Sequence, residues 1–295
     1  MSLTRIACAT DFSAGANAAL RVAARLANEQ NAELVICHAW ELTAGAYLQG
    51  YAFSPEVIER VTTHAERELA DAAALARRAD VKQVATQLLA GGAARAIVDA
   101  VARDPKIELL AIGAHGQSGA LHVFGSVTTH VVRHAACSVL VVRPHHVPTP
   151  FAHIVCPIDF SDSAWRAAEL ATELVRPGGQ GVRLVHVVET PAYVSLDWAP
   201  TFIADVGRHA SAELEQWATR LRARVNVPVS SSVCMGSAGR ELLALIERDP
   251  SIDLVITGSH GRVALERILL GSVAEKLVRY AGPPVLVARQ RAREA

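Results

Sequence analysis

Two kinds of apolar pattern alternate along the chain. RIACAT, ELVICHAW, VATQLLA, IELLAIG and SVLVVR are short, nearly continuous apolar blocks. Their length and β-branched content predict strands covered on both faces. Between them, residues 13–27, 55–79 and 94–104 carry apolar positions every three or four residues, the period of an amphipathic helix. Strand alternating with helix predicts an open parallel sheet.

The pattern is then written a second time. ACATDFSAGANAALRVAARLA (7–27) returns as VCPIDFSDSAWRAAELATELV (155–175). ARDPKIELLAIGAHG (102–116) returns as ERDPSIDLVITGSHG (247–261), and SVLVVR (138–143) as PVLVAR (284–289). The elements keep their order, so this is a tandem duplication rather than a short solenoid repeat. The 295 residues suit two domains. The boundary is expected in PHHVPTPF, Pro144 to Phe151, whose three prolines cannot comfortably continue a strand or helix. We place the domains at 1–146 and 147–295, with the halves packed on one another across a short, stiff linker. The expected fold is α/β: two tandem doubly wound open parallel-sheet domains, Rossmann-like, each of about five strands with helices on both faces. Ligands in such sheets sit beyond the carboxyl ends of the strands, at the switch in strand order.

Charge narrows the function. The 29 basic and 29 acidic residues balance, which gives no electrostatic reason to expect nucleic acid as a partner. Five cysteines, an odd number with no C-x-x-C pair, read as buried reduced thiols, with Cys8, Cys37 and Cys156 inside strand blocks. No apolar run approaches the ~18 residues of a membrane span, and Asp11 interrupts the N-terminal apolar stretch early. The expectation is a cytoplasmic protein with no membrane partner.

One loop carries candidate chemistry. GSHGRVALERILLGS runs from Gly258 to Ser272, after a predicted strand and before a predicted helix. Glycines let backbone N–H groups approach an anion, and a helix N-terminus adds unpaired donors and a positive dipole end. Each such bond to an anion is worth roughly 1.5–3 kcal/mol. Ser272 and Glu275 match the S-x-x-E capping box, which supports a helix start and competes for the Ser272 hydroxyl. The loop is not a Walker sequence, since no Gly-Lys pair occurs in the chain. A phosphate site and a structural turn both remain open on spacing alone.

Gly258-x-x-Gly261, nine residues, then Gly271-Ser272 resembles the glycine signature of the ATP-binding universal stress proteins. The DFS after the first strand, LVHVVE, and the closing PVLVAR also resemble that family, over almost the whole chain. The resemblance implies an adenine nucleotide-binding domain, alpha hydrolase-like in fold, with ATP and Mg as cofactors. Within it, Asp159 would contact the ribose or base side, Val187 would line the adenine pocket, and Pro157 would also bind the cofactor. Thr257 and Gly258 would lie along the nucleotide. Gly261, Gly271, Ser272 and Val273 would hold the phosphates. A capping role for Asp159 at the following helix remains open beside this. His260 reads as loop structure, His186 as a satisfied strand histidine, and Arg262 and Arg267 as a solvated loop face.

The first half departs from the signature. Its equivalent positions are Ala9, Asp11, Ala39, Ile112, Gly113, Gly116, Gly125, Ser126 and Val127. Only eight residues, Gln117 to Phe124, separate Gly116 from Gly125. In regular helix one missing residue would rotate the downstream positions by ~100° and shift them ~1.5 Å. Gly119 adds flexibility there, and Ala39 replaces the larger Val187. We expect ATP binding mainly in the second half.

Catalysis finds no clear residues. No H-E-x-x-H motif and no G-x-S-x-G elbow occur, and no general base stands out. A nucleotide-dependent regulatory module is favoured. The rivals are a slow Mg-dependent ATPase or phosphotransferase, and a scaffold for a protein or another ligand. The last strands of the halves, VLVV (139–142) and VLVA (285–288), are expected to pair within the chain, with a homodimer as a further expectation. Tyr47, Tyr51 and Phe53, and Tyr193, Trp198 and Phe202, are candidate interface aromatics.

Overall fold

The computed structural model describes residues 3–41, 55–116, 125–147, 149–189, 199–261 and 270–289; of the side chains at 199–203 nothing is described. Two compact units divide at Pro148 and Thr149.

The first unit contains β1 (Arg5–Ala9), α1 (Ala14–Gln30), β2 (Glu33–Trp40), α2 (Pro55–Arg78), β3 (Val84–Ala90), α3 (Ala93–Arg103), β4 (Leu109–Gly113), α4 (Ser126–His134) and β5 (Ser138–Val142). Its strands pair in parallel in the order β3-β2-β1-β4-β5. The second unit contains β6 (His153–Pro157), α5 (Asp162–Leu174), β7 (Gly181–Val188), α6 (Ala199–Arg222), β8 (Val229–Met235), α7 (Ala238–Arg248), β9 (Leu254–Gly258), α8 (Ser272–Tyr280) and β10 (Val285–Ala288). Its parallel order, β8-β7-β6-β9-β10, repeats that of the first. Each unit is thus the expected doubly wound α/β sheet. The order reverses between β1 and β4, and again between β6 and β9. That opens a crevice at the carboxyl ends of those strands.

The core follows the apolar blocks. Ile6, Leu34, Ile36, Leu109 and Leu110 are fully buried in the first unit, and Ile154 and Leu184 in the second. Phe151 is also fully buried, and its carbonyl accepts the Arg176 N–H at 2.7 Å. Phe151, the last residue of the stretch in which the boundary is expected, thus packs with the second unit. The thiols of Cys8, Cys37 and Cys156 are buried too, and burial pushes the Cys37 thiol up to about 12. No described helix is long and apolar enough to cross a membrane.

The same turn follows the first strand of each unit. Phe12 and Phe160 both have a left-handed backbone, with φ 63°. For a residue with a Cβ this costs roughly 1–2 kcal/mol. Side chains compensate on both sides of the turn. Asp11 Oδ1 accepts the Ser13 N–H and Asp159 Oδ1 the Ser161 N–H, each at 3.1 Å. The Phe12 ring lies 4.5 Å from His38, and the Phe160 ring 4.6 Å from His186. Each histidine in turn donates Nδ1–H to a backbone carbonyl, His38 to Thr10 and His186 to Ile158. In the second unit the stack extends: Trp217 meets Phe160 edge-on at 5.5 Å and Trp165 at 5.1 Å.

Ser13 and Ser161 then start the helices. Each hydroxyl accepts the N–H three residues on, at Ala16 and Ala164, at 3.2 Å. The capping role left open for Asp159 therefore belongs to Ser161, and Asp159 shapes the turn before it. The aromatics Tyr47, Tyr51, Phe53, Tyr193 and Trp198, with Gly119, Arg262, Arg267 and the shortened segment 117–124, lie outside the described residues. Phe202 falls in α6 among the side chains not described.

Candidate functional site

A cavity of about 480 Å³ opens at the carboxyl ends of β6, β7 and β9. The structure brings all nine second-half residues singled out in the sequence to its wall. Pro157 ends β6, Val187 stands near the end of β7, and Thr257 and Gly258 end β9. Asp159 and Gly261 follow their strands, and Gly271, Ser272 and Val273 open α8.

The three glycines are there for different reasons. None of Gly258, Gly261 and Gly271 is among the glycines with positive φ, so a left-handed backbone is not what calls for glycine at these positions. A Cβ on Gly258 would come within 2.5 Å of Ser163 Oγ and 2.9 Å of the Ser163 carbonyl carbon, so close packing of β9 on α5 demands glycine. A Cβ on Gly261 would stand 2.9 Å from Asp159 Oδ2. At Gly271 neither reason holds. Its φ and ψ, −61° and 145°, suit any residue, and a Cβ would meet nothing nearer than 3.7 Å among the described residues.

Gly271 is also the true N-cap of α8, and no side chain caps it. The expected capping box is therefore absent. Ser272 is the first helical residue, one position too late to cap, and Glu275 pairs instead with Arg279 at 3.2 Å. The Gly271 N–H is engaged by the Ser259 carbonyl at 2.9 Å. The donors left facing the cavity end of the helix are thus the N–H groups of Ser272, Val273 and Ala274. They carry the positive end of the helix dipole.

Several wall residues were missed in the sequence. Glu189 lies just past β7, and its Oε1 accepts the Ala238 N–H at 3.1 Å, capping α7 from another element. Ala238 and Leu242 of α7 supply an apolar side. No glycine motif marks them; only the apolar face of α7 signals Leu242. His186 and His260, read as structural, both line the cavity. His186 is satisfied by Ile158, as expected, whereas the His260 Nδ1 is buried without a hydrogen-bond partner among the described residues. The His260 carbonyl accepts the Ser163 hydroxyl, which ties the loop to α5.

The first unit places its counterparts alike. Ala9, Ala39, Ile112 and Gly113 lie at or near the carboxyl ends of β1, β2 and β4. Asp11 and Gly116 face each other, a Cβ on Gly116 falling 2.6 Å from Asp11 Oδ2. Gly125 caps α4, and Ser126 and Val127 begin it. A further difference lies at Thr128, where the second unit has Ala274. Thr128 is buried, and its hydroxyl donates to the Gly113 carbonyl at 2.7 Å. A branched side chain thus fills the place where Ala274 leaves room at the cavity wall.

Among the described residues no group of three or more His, Cys, Asp or Glu could hold a metal.

A family model described as the universal stress protein family matches residues 2–143 and again residues 150–289. Universal stress protein Rv2005c of Mycobacterium tuberculosis is 31% identical over 200 residues, covering 62% of this chain and 62% of that protein. The chain thus matches less than two thirds of that relative's length. Universal stress protein Rv2623 of the same organism is 25% identical over 292 residues, covering 95% of this chain and 94% of that protein. A universal stress protein from Archaeoglobus fulgidus has a similar fold, with a TM-score of 0.72 at 21% identity, covering 98% of this chain and 99% of that one.

Proposed function

The chain belongs to the universal stress protein family in both halves, and from that premise we propose that it is an ATP-binding regulatory module whose working site is in the second half. The observation that carries this reading is Gly271. Neither backbone conformation nor packing among the described residues requires glycine there. A glycine there leaves the first turn of α8 open to a ligand, which supports the reading.

The triphosphate would lie on the N–H groups of Ser272, Val273 and Ala274, with the Ser272 hydroxyl free of any capping duty. The base would lie toward Val187 and Leu242, and Asp159 would accept from a ribose hydroxyl. A cavity of about 480 Å³ is of the size that holds a small organic ligand. Mg²⁺ would arrive with the phosphates and offset their charge beside Asp159 and Glu189. We place the protein in the cytoplasm, a reading that the deeply buried thiols of Cys8, Cys37 and Cys156 support.

Calorimetric titration of nucleotide-free protein with Mg·ATP tests the proposal. One site per chain is expected, with cyclic AMP and GTP binding more weakly. No heat and no rise in melting temperature would overturn it.

A further inference from the structure

The two units diverge on one exposed helix face. In α8 of the second unit, Lys276 and Tyr280 stand one turn apart. The equivalent positions of α4 are His130 and His134, and their rings stack with centroids 4.1 Å apart and planes 24° apart. Residues four apart share a helix face, so both imidazoles project to the same side. Stacked rings hold their in-plane lone pairs side by side, and rotation of the His130 ring out of the stack would bring both nitrogens onto one ion.

The chemistry of each ring suits a ligand. His134 Nδ1 lies 2.8 Å from the His130 carbonyl oxygen, which can only accept. The proton therefore sits on Nδ1, and the lone pair is on Nε2. Donation of the second ring nitrogen to a carbonyl is how metal-binding histidines are usually oriented. His134 is exposed and His130 half-buried, so solvent reaches the pair.

We propose that His130 and His134 form a two-nitrogen chelate for a borderline divalent transition ion of the Ni²⁺, Cu²⁺ or Zn²⁺ class, with water completing the coordination. Imidazole favours these ions over Mg²⁺ or Ca²⁺. The site is separate from the nucleotide cavity and stands whether or not ATP binds there.

Titration of the nucleotide-free, untagged full chain with Ni²⁺ tests this. One Ni²⁺ per chain is expected. His134→Gln should weaken it roughly a hundredfold, because a second ligand held beside the first acts at high effective concentration. The double variant H130K/H134Y installs residues that the equivalent helix already carries, and it should abolish the site without lowering the melting temperature. Copper(II) resonance of the wild type should show two equatorial nitrogens from imidazole. Unchanged Ni²⁺ affinity in either variant, or a single coordinated imidazole, would overturn the proposal.

Discussion

Asp159 and Gly261 leave no space between them: a methyl group on Gly261 would stand 2.9 Å from Asp159 Oδ2 while Oδ1 holds the Ser161 N–H. Gly261→Ala is therefore expected to turn the carboxylate and weaken Mg·ATP binding by about tenfold, near 1.4 kcal/mol. Asp159→Ala should weaken binding too. The double variant should cost no more than the worse single, because both act through one contact. Titration of the three variants checks this; additive losses would mean that the two residues act separately.

Gly271 and Gly258 should separate binding from stability. Gly271→Ala has ordinary van der Waals room and a permissive backbone, so stability should fall by no more than about 1 kcal/mol, the cost of alanine at an N-cap, while ATP affinity falls further. Gly258→Ala must push Ser163 and its backbone aside, at about 1–3 kcal/mol from overpacking. Urea unfolding alongside titration reads both. A large stability loss at Gly271 would restore the structural-turn reading.

Much of the fold was legible in the sequence, for physical reasons. The strands announced themselves because a sheet covered on both faces needs unbroken apolar runs, as in LLAIG and LVITG, both buried nearly throughout. The cap left open for Asp159 went to Ser161, because Asp159 Oδ1 is already engaged by the Ser161 N–H in the turn before the helix. The α8 cap misled because Ser272 and Glu275 satisfy a degenerate pattern. Register decided the matter: Gly271 reached the cap position first, and Glu275 found Arg279 one turn on. Glu189 was invisible, since its partner Ala238 is far along the chain and meets it only once β7 and α7 are in place.

Thr128 and Ala274 offer a direct test of the proposed difference in binding between the halves. Ala274→Thr should let a hydroxyl reach the Gly258 carbonyl, as Thr128 reaches Gly113, and fill the cavity wall. ATP affinity is expected to fall by about tenfold or more with little change in melting temperature. Unaltered affinity would move the cause of asymmetry to the spacer between Gly116 and Gly125.

Asp249 should govern part of the acid stability. The Ser251 hydroxyl and N–H bond its carboxylate, at 2.5 and 3.2 Å, and hold it below the ordinary carboxylate range. A carboxylate lowered on folding stabilises above its unfolded value, about 3.8, and that contribution is lost as pH falls through the lower folded value. Asp249→Asn should therefore melt below wild type at pH 7, with the gap closing below about pH 3.8. A gap that persists at pH 2 would remove the charge from the explanation.

The ring stack behind Asp159 has an optical consequence. Phe160 follows Asp159 in the chain and meets Trp217, which meets Trp165, whose indole faces the Arg220 guanidinium at 4.3 Å. Neither α1 nor α2 carries a tryptophan. Trp217 and Trp165 thus stand within two contacts of the Asp159 turn at the cavity, while the first half emits from Trp40 at the end of β2. Movement of the Asp159 turn would change the indole's surroundings, and with them its emission wavelength and quenching, with no label attached.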